Sequence, residues 1–105
     1  MEYTKSQKRK MVAAFKRAAK ALRLRRNIAT MEGHTYICLA IADTAEDRNT
    51  VRLCCDLIDS RLDGWGTLRD WLQYEAKIDP RELTFEAVQQ HRFNWLQQLI
   101  AEFSH

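Results

Sequence analysis

The chain has 105 residues, of which 46% are hydrophobic and 30% charged, with a net charge of +3. That length suits one domain with a modest core, and three glycines and one proline are too few for a fold of many short strands and tight turns. No run of about 18 apolar residues occurs, so no segment is predicted to span a membrane.

The charge is unevenly placed. Residues 1–26 carry ten Lys and Arg against Glu2 alone, a balance of +9, while residues 27–105 carry −6. The expected organisation is therefore a single helical domain, 1–105, made of a strongly basic helix at 1–26 and an acidic helical body at 27–105. Such asymmetry is an argument about partners: a polyanion, an acidic protein surface or a second copy. The basic N-terminus lacks the unbroken apolar stretch of a secretory leader. Cys38, Cys54 and Cys55 are odd in number and two are adjacent, which is no disulfide framework. A reducing, cytoplasmic setting is expected.

The first helix is predicted from about Thr4 or Ser6 to Leu24. Met11, Phe15, Ala18 and Leu22 recur at the helical period and five alanines raise the propensity. Residues 27–34 read as a connection punctuated by Gly33. A short helix from about His34 to Ala42 follows, apolar nearly all round and therefore buried. Periodicity alone leaves a central strand open there, but no second strand offers to pair with it. After a polar turn, Val51, Cys55, Ile58 and Leu62 mark a third helix from Asn49 to Leu62, stopped by Gly64. Thr67 and Asp70 have capping-box spacing and open a fourth helix, which Pro80 ends by about Ile78. Thr84 caps the last helix, whose seam is Phe85, Val88, Trp95, Leu99 and Phe103, flanked by Leu96 and Ile100. Arg92 interrupts that seam, its stem expected to cover apolar surface while the guanidinium reaches an acid or water. The fold class is thus all-α: a compact array of four or five helices with short connections.

For chemistry, the sequence predicts no catalytic residue, no cofactor and no metal. His34 and Cys38 fall four apart, with Cys54, Cys55 and His91 elsewhere, but the paired spacings of a zinc site are missing. The three cysteines are read as small core residues, and His91 as a boundary residue. Gly64-Trp65-Gly66 lacks the strand and lysine of a phosphate loop, so Trp65 is expected to pack down in a helix–helix turn. Asp56, Asp59 and Asp63 share one face, read as solvated or as a docking face for the basic helix. Trp65, Trp71 and Trp95 are assigned to core packing, although an exposed one would mark a binding surface. The surplus of amphipathic seams leaves room for a homodimer through the last helix.

The candidate anion- or partner-binding surface is Lys8, Arg9, Lys16, Arg17, Lys20, Arg23, Arg25 and Arg26. A cation row gains Coulomb energy near phosphates and releases counterions, but it equally suits an acidic protein face.

Tyr36-Ile37-Cys38-Leu39-Ala40 and the stretch from Arg92 to Phe103 (RFNWLQQLIAEF) resemble segments of a group of small helical proteins encoded by tailed phages. That group tends to show an aromatic-Ile-Cys-His-Ala-Leu stretch, a Gly-rich turn before a Thr-initiated helix, and a Trp-Leu-x-x-Leu-Ile-x-Glu-Phe helix. Leu39 stands where the group usually has His. The resemblance covers about a third of the chain and supplies no functional residues. It implies a phage or prophage origin, the host-cell cytoplasm and no enzymatic activity. The expected function is non-catalytic: stoichiometric binding to a host or defence protein, or to a nucleotide signal, through the basic first helix. The alternative is a sequence-tolerant DNA- or RNA-binding protein.

Overall fold

The computed structural model describes residues 2–24, 30–31 and 34–104. Five α-helices account for most of them: α1 (Lys5–Leu24), α2 (Ile37–Thr44), α3 (Arg48–Arg61), α4 (Leu68–Asp70) and α5 (Phe85–Phe103). The fold class is all-α, and the Cα radius of gyration of 13.3 Å is that of one compact body.

α1 is the centre of the core. It packs against α5, α2 and α3, and Met11, Ala14, Phe15, Ala18, Ala19 and Leu22 are all buried. Its start is a reciprocal capping box: the Gln7 N–H donates to Thr4 Oγ1 (3.0 Å) and the Thr4 N–H to Gln7 Oε1 (2.9 Å). The sequence reading left the start open between Thr4 and Ser6; this T-x-x-Q box, which it missed, fixes the boundary at Lys5.

Three boundaries differ from the sequence-based expectation. Thr30–Met31 and His34–Thr35 form a two-residue antiparallel ribbon, so α2 begins at Ile37 with Tyr36 as its N-cap. His34 therefore precedes the helix, and the four-residue spacing to Cys38 does not lie on one helix face. α2 is nonetheless a helix, with Ile37, Ala40 and Ile41 buried. α3 begins one residue early because Asp47 caps it with both carboxylate oxygens, accepting from the Thr50 N–H (2.8 Å) and Thr50 Oγ1 (3.0 Å).

The fourth helix is much shorter than expected. Thr67 caps it as predicted, accepting from the Asp70 N–H (3.2 Å). After one turn it widens into a π-turn over Trp71–Glu75, where the Ala76 N–H reaches the Trp71 carbonyl (3.0 Å). The chain then leaves the helix through Lys77, whose φ is +61°. Pro80 is thus not the terminator; it opens a separate 3-10 turn, Pro80–Glu82. The other ends behave as predicted. Asp63 (φ +53°) and Gly64 (φ +88°) carry the left-handed turn after α3, and Thr84 Oγ1 accepts from the Ala87 N–H (3.2 Å) to start α5.

Phe15 sits at the junction of α1 and α5, its ring 6.4 Å from that of Phe103. Replacing it with Ala should cost about 3–5 kcal/mol, the usual range for a buried Phe; chemical denaturation of both chains is the check, with a lowered midpoint at unchanged slope. The hydrogen bonds from Thr50 hold the Asp47 carboxyl below its ordinary value of 3.8. Its contribution is therefore present above that value and lost as pH falls through the lower folded-state value. The melting-temperature gap between wild type and Asp47→Ala should be constant from neutral pH to about pH 5 and narrow below about pH 4.

Candidate functional site

The basic residues of α1 divide into two groups because the core fixes which way the helix faces. With Met11, Phe15 and Leu22 turned inward, Arg9, Lys16, Lys20 and Arg23 form an exposed solvent stripe. Arg17 lies on the other flank and is tied to Glu46, Nη2 to Oε1 at 2.6 Å. Lys10 also faces that flank, close enough to help lower the Asp47 carboxyl. Arg25 and Arg26 lie outside the described residues.

Three of the expected residues converge. Lys8, Arg9 and Lys16 line a groove of about 620 Å³, joined by Lys5. Between them lie half-buried Val12 and Ala13 of α1 and Phe103 at the end of α5. Among the described residues no carboxylate lines this groove, and none of its four cations has an ion-pair partner. The sequence reading missed Lys5, although it stands four residues before Arg9 and so on the same face. It also missed Phe103, which the seam of α5 brings across the chain. Lys20 and Arg23 continue the stripe beyond the groove.

Of the acidic face only Asp56 comes near α1, sharing a second groove with Lys8 without an ion pair. Asp56, Asp59 and Asp63 are exposed, and the ion pair from α1 to the body is Arg17–Glu46 among the described residues. Among the described residues no three His, Cys, Asp or Glu side chains come together as a metal site. Of the cysteines only Cys54 is buried; Cys38 and Cys55 are half-buried neighbours from α2 and α3, with Cys55 Sγ 4.0 Å from the Cys38 carbonyl oxygen. His91 is half-buried at the edge of the seam, as expected.

Two further readings change. Trp65 does not pack down: it is 36% exposed and stacks on Tyr74, which is 47% exposed, with ring centroids 5.2 Å apart. Tyr74 lies two residues after buried Leu72, on the opposite side of the turn, and so faces outward. Trp71 and Trp95 do pack against the core, edge to face at 5.1 Å. Arg92 does not reach out past the seam. It is 1% exposed, and its guanidinium is 5.5 Å from the centre of the Tyr36 ring. Nη1 donates to Gln89 Oε1 (3.1 Å), and no acid is paired with it. Of the α5 seam and its flank, Val88, Leu96 and Leu99 are buried, while Phe85, Trp95, Ile100 and Phe103 are half-buried.

No protein-family model, curated protein or solved structure matches the chain.

The thiols should differ in reactivity. Burial pushes Cys54 up to about 12, and the bond to Cys55 together with burial pushes Cys38 up as well. Cys55, whose thiolate the Cys38 thiol stabilises by donating to it, is lowered. Brief alkylation near neutral pH, mapped by mass spectrometry, should label Cys55 first and leave Cys54 unmodified.

Proposed function

We propose that this chain is a non-catalytic, phage-type accessory protein of the host-cell cytoplasm that acts by stoichiometric binding, with the basic first helix contacting an acidic face of a host or defence protein. The observation that carries this reading is the α1 groove, where four unpaired cations surround an apolar strip. A phosphodiester backbone needs charge alone. An apolar strip between cations adds affinity only when the partner brings apolar groups flanked by acids, which is what an acidic protein surface offers. A nucleotide signal is the smaller ligand of the same chemistry. Sequence-tolerant DNA or RNA binding is the competing reading, and α1 has no aromatic on its solvent face to stack a base. A homodimer through the last helix would use the half-buried Trp95, Ile100 and Phe103.

Fluorescence anisotropy separates these partners. The probes are a labelled peptide with Leu and Phe flanked by Asp and Glu, and labelled single- and double-stranded DNA and RNA. Each is titrated at about 50 mM and about 150 mM salt, where a polyphosphate contact weakens steeply. Molecular mass is measured on the same sample. The expected result is peptide binding that survives at the higher salt. Joint replacement of Lys8, Arg9 and Lys16 by Glu should weaken it more than about tenfold, because three attractive contacts become repulsive. Tight nucleic-acid binding with a steep salt slope would put the DNA or RNA reading in its place. Binding of neither probe, or binding unchanged by the reversal, would remove α1 as the contact surface.

A further inference from the structure

Arg92 has no explanation in the fold or in the α1 groove. It is a cation enclosed between α5, α2 and α4, where Tyr36 and Gln89 supply its only partners among the described residues, and Nη2 has none. Burial draws its pKa down to about 10, so it is still charged at neutral pH. A buried guanidinium held by one amide oxygen and a ring face is underpaired; such groups are ordinarily matched by a carboxylate or phosphate.

The same side chain lines a cavity of about 390 Å³. The other walls are mostly apolar, with Ile37 from α2, Ile58 from α3, Leu62 after it, and Leu68 from α4. This is the make-up of a small-molecule site: a mostly apolar pocket of ordinary ligand size with a few polar groups to orient the occupant. It shares no lining residue with the α1 groove. Asp59 also contributes to the lining and adds a negative charge, which disfavours a doubly charged phosphate relative to a single anion.

We propose that this cavity binds a small organic monoanion with an apolar body, an aryl- or alkyl-carboxylate that pairs with the Arg92 guanidinium at the cavity wall while its body packs against Ile37, Ile58, Leu62 and Leu68. The ligand supplies the partner that the fold withholds from Arg92. Its affinity comes from the apolar walls, and its selectivity for an acid over an uncharged analogue comes from the guanidinium.

The test uses the full chain, isotope-labelled, titrated with phenylbutyrate and with phenylbutanol and followed by NMR. The two probes share a body and differ in charge. Phenylbutyrate should bind saturably, moving the Arg92 Nε–H resonance and the amides of Ile37, Ile58 and Leu68. Phenylbutanol should bind at least about tenfold more weakly, the usual worth of a hydrogen bond to a charged group. Arg92→Met should abolish the difference between the two. Equal affinity for acid and alcohol in the wild-type chain overturns the proposal, as does binding of neither at millimolar concentration, or shifts confined to the α1 groove. Should Arg92→Met not fold, the acid–alcohol comparison in the wild-type chain decides alone.

Discussion

Everything in this fold depends on the burial of one face of α1. Met11, Phe15 and Leu22 supply the bulk, while Ala14, Ala18 and Ala19 let neighbouring helices come close. Three helices lean on that face, so α1 cannot turn about its axis without exposing the core. The position of its cations follows. Those nearest the solvent pole, Arg9, Lys16, Lys20 and Arg23, can only form an outward stripe, and those at the flank meet Glu46 and Asp47. The concentration of positive charge on one rigid element is thus a by-product of core packing that leaves a preorganised cationic surface. The Arg17–Glu46 pair is exposed and contributes little to stability; it takes one cation out of the binding surface.

α5 supplies the counterpart constraint. Its middle closes the core with Val88 and Leu96, and its last turn brings Phe103 against Tyr3 and Phe15. Arg92 lies midway between Val88 and Leu96. About three helical turns separate it from Phe103, so one helix forms part of both the cavity and the open groove while keeping them apart. The groove is a charged surface with an apolar strip, and the cavity is a mostly apolar pocket with Arg92 and Asp59 as its charges.

The helices were legible where side-chain period and cap agreed. α1, α3 and α5 follow their apolar stripes, and Thr67 and Thr84 cap where the sequence places them. What sequence could not show depends on neighbours far along the chain. The π-turn after α4 is one case: the pattern through Leu72 continues as a helix would, and only the packed structure widens it and stacks Tyr74 on Trp65. Phe103 at the α1 groove is another, because that contact requires α5 to lie antiparallel or parallel at a particular register along α1. The cysteines show a third limit. Composition favours burial for all three, but α2 and α3 leave the edges where Cys38 and Cys55 sit partly open. The cation stripe was legible as charge, whereas its division between groove and Glu46 flank was set by helix orientation.

Magnitude decides how these two surfaces should be weighed as evidence of function. A solvated lysine or arginine costs the fold almost nothing, and a pair on the surface is worth about 0–1 kcal/mol, so the α1 stripe can exist without a partner. A buried cation is different. Removing an ion from water costs several kcal/mol even after the protein relaxes, and a well-packed apolar side chain of similar volume is often neutral or more stable by about 1–4 kcal/mol. Nothing in the packing of α5 requires a charge at position 92, since the residues around it on the seam are Val88, Leu96 and Leu99. The Tyr36 ring and Gln89 offset only part of the desolvation, and Nη2 is left without an acceptor. One enclosed arginine facing a mostly apolar cavity therefore says more about a ligand than the whole basic face of α1 says about a partner.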